Sequence, residues 1–141
     1  MMIDLNEDGR RKLHEICTKL GTGELLGQLT EELGEAIQAV MEVKEALGCT
    51  ITQEQARKLN RMVRKCGELI QAAQKARRAM SGTTPVSLDD ALVHLSEECA
   101  DAAVCIDTLI DAGLIDEKGL QFIGRYKIDR CYRRVVSADE A

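Results

Sequence analysis

QLTEELGEAI, residues 28–37, is written a second time in the chain as HLSEECADAA at residues 94–103. Aligned without gaps, the copies pair Leu29 with Leu95, Thr30 with Ser96, Glu31 with Glu97, Glu32 with Glu98, Gly34 with Ala100, Glu35 with Asp101 and Ala36 with Ala102. Each copy carries three carboxylates in five residues and sits inside an apolar stripe. The first stripe is Leu26, Leu29, Leu33, Ala36, Val40, Val43 and Leu47; the second is Leu88, Leu92, Leu95, Cys99, Ala102, Ile106 and Leu109. Steps alternating between three and four residues mark the seam of a packed helix.

At about 100° per residue, Glu32 lies beside Leu33 and Glu35 follows on the same side; Glu98 and Asp101 hold the same offsets from Cys99. Residues three apart are neighbours on a helix surface, so each pair can reach one ion. If the two stripes pack on each other, Glu32, Glu35, Glu98 and Asp101 converge beside the seam. Unpaired anions crowded together repel, and a hard divalent cation removes the conflict. Carboxylate oxygens suit Mg²⁺, with Mn²⁺ as the alternative. The plainer reading of any one such pair is a solvated acidic face. Two copies in one register weigh against it. So does the span between Arg78 and Lys118, which holds nine Asp or Glu residues and no Lys or Arg. His94 aligns with Gln28 and precedes Glu98 by one turn, which puts both residues on the rim of the expected pocket.

At these residues the chain resembles the all-α NTP pyrophosphatases, the superfamily of MazG-like enzymes. Glu31-Glu32-x-x-Glu35 followed by Glu98-x-x-Asp101 is similar to that superfamily's EExxE…ExxD signature. One departure is the length of sequence between the motifs, which is long enough for a further helix. The resemblance implies an Mg²⁺-dependent nucleotide pyrophosphohydrolase that converts a nucleoside triphosphate to the monophosphate and pyrophosphate. It implies Glu32, Glu35, Glu98 and Asp101 as metal ligands and Glu31 as the base for the attacking water. It also implies Lys127 and Arg130, in the basic segment after the second motif, as phosphate contacts. A homodimer, or a tetramer built from it, is the implied assembly.

Composition agrees with an all-α helical bundle of four to five helices in one domain, 1–141. Aromatics make up 2% of the chain and proline occurs once, at Pro85, which disfavours a β-sandwich. The net charge of −5 does not suggest a nucleic-acid partner. No run approaches membrane-spanning length and the N-terminus has no apolar signal core, so the expected location is cytoplasmic. The six cysteines form no CxxC pair and read as reduced thiols, with Cys66 and Cys99 on helix seams.

The expected helices are 7–20, 24–47, 53–80, one capped by Ser87 that ends at Gly113, and 117–136, with a frayed tail at 137–141. Gly21-Thr22-Gly23 is read as the first break, and Thr52-x-x-Gln55 as a capping box. The third helix is basic and faces only Glu54 and Glu68. Lys127, Arg130 and Arg134 share one face of the fifth. Two readings compete with the enzyme. A non-catalytic adaptor bundle explains the seams but not the repeated carboxylates. A di-iron bundle lacks the Glu-x-x-His pairs it requires.

Overall fold

Helix starts follow the caps that the sequence offers. In a computed structural model describing residues 3–140, five α-helices form: α1 Glu7–Leu20, α2 Thr22–Leu47, α3 Gln53–Met80, α4 Leu88–Asp111 and α5 Glu117–Val135. Short 3₁₀ turns at Gly48–Thr50 and Ser137–Glu140 complete the described residues, which contain no strand. The Asn6, Ser87 and Asp116 side chains accept hydrogen bonds from the Gly9, Asp90 and Gly119 amides at the starts of α1, α4 and α5. Thr52 and Gln55 form the reciprocal capping box that opens α3. The expected tail at 137–141 is a 3₁₀ turn as far as Glu140, and Ala141 lies outside the described residues.

The break between α1 and α2 is tighter than the GTG reading. Only Gly21 leaves the helix, at φ 78°, and Thr22 and Gly23 already belong to α2. A left-handed residue with no Cβ lets the chain turn within a single position.

The bundle is built on α3. Its seam residues Leu59, Met62, Cys66, Leu69, Ala73 and Ala76 are buried, together with Ala72, whereas Met80 at its end is exposed. Both α2 and α4 pack extensively on α3, and neither makes comparable contact with the other. Two clusters result. In one, Leu59, Met62, Cys66, Cys105 and Leu109 meet Leu33, Ala36, Ile37 and Val40 of α2. In the other, Leu26, Ala73, Ala76 and Ala91 meet Leu29 and Leu95. Small residues at 73, 76 and 91 let the three backbones approach closely there.

The seam of α4 differs from the expected stripe. Leu88, Leu92 and Cys99 are exposed, while Ala91, Ala102, Cys105 and Leu109 are buried. The packed register is Ala91, Leu95, Glu98, Ala102, Cys105, Leu109, which also steps by four and three. It shares Leu95, Ala102 and Leu109 with the expected one, so apolar periodicity alone does not separate them. The packed register sets Ala91 against the small residues of α3, and it places the Glu98 carboxylate inside the seam. Of the two cysteines assigned to seams, Cys66 is buried as expected, and Cys105 takes the place foreseen for Cys99.

α1 and α5 form a second layer, packed mainly on each other. Ile16 of α1 is buried, and polar pairs cross the contact: Lys12 pairs with Asp129 at 2.9 Å, and the Arg11 and Lys12 cations stand 5.5 and 5.8 Å from the Tyr132 ring centre. No residue of α5 is buried. No helix of the described residues is long and apolar enough to cross a membrane.

The dependence on α3 is testable. Ala73→Leu should overfill the α2–α3–α4 junction and destabilise the fold by about 1–3 kcal/mol. Thermal unfolding followed by circular dichroism should show a lower midpoint, and an unchanged midpoint would mean that the junction is not close-packed.

Candidate metal centre

The two motif copies lie at one height in the bundle. Leu26 and Leu29 share a cluster with Ala91 and Leu95; Leu33 and Ala36 share the next one with Cys105 and Ile106. The segments 31–35 and 97–101 therefore both stand where the two clusters meet. A direct connection would have made α2 and α4 an antiparallel hairpin. With α3 between them they run the same way, and both apolar stripes face α3.

That arrangement brings together a different set of acids from the one expected. Glu68 of α3 joins Glu98 and Asp101 of α4, each offering a carboxylate oxygen, all within 4.8 Å of one another. Glu32 and Glu35 are exposed on α2 and belong to no such group among the described residues. The expected convergence of Glu32, Glu35, Glu98 and Asp101 is thus not formed within the chain, because α3 occupies the space between the two motifs.

Lys65 Nζ reaches into the α3–α4 cluster, donating to Glu68 Oε2 at 2.9 Å and to Asp101 Oδ2 at 3.0 Å. Its side chain is only 16% exposed. These two carboxylates, Glu68 first, raise the Lys65 pKa above its ordinary value, and the Lys65 hydrogen bond holds the Glu68 carboxyl below the usual carboxylate range. Glu98 Oε2 is buried and has no hydrogen-bond partner. A carboxyl oxygen buried without a hydrogen-bond partner is uncommon in native proteins and leaves room for a ligand. The donor set is all oxygen, which suits Mg²⁺ or Mn²⁺ over softer metals. Oxygens at about 2.1 Å from an ion lie up to about 4.2 Å apart, somewhat less than the 4.8 Å within which these three lie, so an ion would draw them together. The residues therefore fit a hard divalent cation.

Most of the residues expected to contact substrate gather elsewhere. Gln28, Glu31 and Glu32 of α2 face Lys127, Arg130, Cys131 and Arg134 of α5 across a groove of about 290 Å³. None of those three cations is ion-paired among the described residues. A groove with three cations on one wall and two carboxylates on the other can hold a phosphate chain beside an acid–base group. His94 lies outside this groove, with its Nδ1 3.9 Å from Glu97 Oε2.

Sequence reasoning missed Lys65 and Glu68 as members of the cluster. A signal existed, since Glu68 precedes the seam residue Leu69 just as Glu32 precedes Leu33. It is one of two acids in an otherwise basic helix. Together, fold and site define an all-helical bundle with a carboxylate cluster suited to a hard cation. The chain matches no family model, no curated protein and no solved structure.

Glu98→Gln should leave the metal-free protein at least as stable as the wild type, because it takes one of three crowded acidic groups out of the seam and keeps the shape. Thermal melts in chelator test this, and a midpoint lower by many degrees would mean that the carboxylate itself holds the seam together.

Proposed function

We propose that the protein is an Mg²⁺-dependent nucleoside-triphosphate pyrophosphohydrolase of the all-α, MazG-like type. The observation that carries this reading is the partnerless buried oxygen of Glu98 within the three-carboxylate cluster. Glu98, Asp101 and Glu68 would hold the cation. Glu32, in the groove, and Glu35, one turn further along α2, are the proposed first-motif counterparts. A bound ion would neutralise phosphate charge and make water more acidic where the substrate reaches from the α2–α5 groove to the α3–α4 cluster.

The chain's own groups do the rest. Lys127 and Arg130, joined by Arg134, bind the phosphate chain and stabilise its shifting charge. Gln28 lines the same groove, and His94 is a rim residue one turn before Glu98. Glu31 accepts the proton of the attacking water. The water oxygen bonds to phosphorus while the bond to the leaving pyrophosphate oxygen breaks. The products are a nucleoside monophosphate and pyrophosphate.

A non-catalytic adaptor bundle is the second reading. The Lys65–Asp101 pair favours it, since an internal cation already offsets part of the acidic charge. Activity separates the two. With Mg²⁺ and a panel of common and modified nucleoside triphosphates, the purified protein should release pyrophosphate and not orthophosphate. Glu31→Gln and Asp101→Asn should lower the rate by about 100-fold or more with the helical content retained. No turnover of any nucleotide would favour the adaptor.

We further propose that the chain works as a homodimer. α4 exposes Val93 (60%) and Val104 (55%), and α5 exposes Phe122 (70%), Ile123 and Tyr126. Apolar faces of this kind, with no buried residue anywhere in α5, fit an interface with a second copy. Light scattering coupled to size exclusion should give about twice the 15.6 kDa chain mass, with a tetramer as the next assembly, and a 15.6 kDa species would refute self-association.

A further inference from the structure

We infer that Lys65 is the resident cation of the Glu68–Glu98–Asp101 cluster, and that a divalent ion enters by displacing its ammonium group. The inference rests on the metal-site reading above and adds what sets the affinity of that site.

Three observations carry it. Lys65 is a basic residue of α3 that crosses to α4: it bridges Glu68 on its own helix and Asp101 on the next. Its neighbour Lys58 pairs locally with Glu54, while Arg77 and Arg78 line a separate surface pocket. Second, the bridge leaves the cluster incompletely served. An ammonium has three donors, yet Glu98 Oε2 receives none. A hard divalent ion takes about six oxygen ligands and can serve all three acids at once. Third, the two cations exclude each other. With the carboxylate oxygens within 4.8 Å, an ion among them would stand within a few ångströms of an ammonium already 2.9 and 3.0 Å from two of them. Like charges at that separation repel strongly in a partly buried site. Lysine is suited to such an exchange, because its charge is a point at the end of a flexible four-carbon stem and can swing to solvent.

Two consequences follow for the site. Lys65 weakens metal binding, so the cluster fills only when the divalent concentration exceeds a threshold that Lys65 sets. Filling it also releases the Lys65 tie between α3 and α4 and frees the ammonium to solvent.

The test uses Mn²⁺ binding, read by electron paramagnetic resonance or calorimetry, on the full chain, Lys65→Met and Glu98→Gln. Met retains the apolar stem and removes the charge. Lys65→Met should bind Mn²⁺ several-fold more tightly than wild type, up to about fivefold for each of the two ion pairs that it removes. Glu98→Gln should bind it more weakly. In parallel, amine-selective labelling of wild type read by mass spectrometry should show Lys65 protected without metal and reactive with Mn²⁺. Equal affinity in wild type and Lys65→Met, with binding still lost in Glu98→Gln, would overturn the role of Lys65 and leave the metal site standing. Absence of Mn²⁺ binding in both wild type and Lys65→Met would overturn the site itself. If Lys65→Met does not fold, labelling decides: no gain in Lys65 reactivity at Mn²⁺ concentrations that saturate the wild type overturns the exchange.

Discussion

A carboxylate placed in the seam between two packed helices needs an opposing charge, and this bundle is arranged around supplying one. Glu98 stands where α4 meets α3, at a position its apolar neighbours Leu95 and Ala102 would otherwise make hydrophobic. Its burial is tolerable because α3 brings a cation to the same level. Lys65 offsets the local excess of negative charge through Asp101 and Glu68, and in doing so ties α3 to α4. The register of α4 that sets Ala91 against Ala73 and Ala76 also exposes Cys99, buries Cys105 and brings Glu98 to the seam. A one-residue shift would return Glu98 to the flank, and it would take Ala91 away from Ala73 and Ala76.

Much of the architecture was legible in the chain itself. The boundaries of α1 and α3 coincide with those expected, because Leu20 is followed by a left-handed glycine and because Thr52 and Gln55 form a complete capping box. The stripe of α3 was readable because its apolar residues leave a single register that avoids charge. The stripe of α4 was not, since Cys99 and Cys105 are both acceptable seam residues and only the partner surface chooses between them. The acid cluster was half legible. Glu98 and Asp101 announce themselves by repetition, but Glu68 and Lys65 stand far away in sequence, in a helix whose overall basic character points to solvent. No local pattern records that they face α4; that fact belongs to the packing of three helices.

The structure separates two chemistries that the motif reading had merged. The oxygen cluster belongs to α3 and α4, whereas the groove with Lys127, Arg130 and Arg134 belongs to α2 and α5. Both stand on rigid helices, and the first motif contributes to the groove through Glu31 and Glu32. What joins them is the shared height of the two motif copies, held by α3 as a common spacer. α3 thus decides which acids meet, while the two motif copies stand at one level.

The pairing of α1 with α5 has a consequence for how the chain reaches this state. Contacts among α2, α3 and α4 join neighbours in sequence and can form early as two successive hairpins. The α1–α5 contact joins the two ends of the described chain, through Lys12 with Asp129 and Arg11 with Tyr132. Closing so large a loop carries the largest entropic penalty in the molecule. The return in buried area is small, since α1 buries Ile16 alone and α5 buries no residue. A long closing loop with little buried area makes the terminal layer the part expected to join last in folding and to open first on warming.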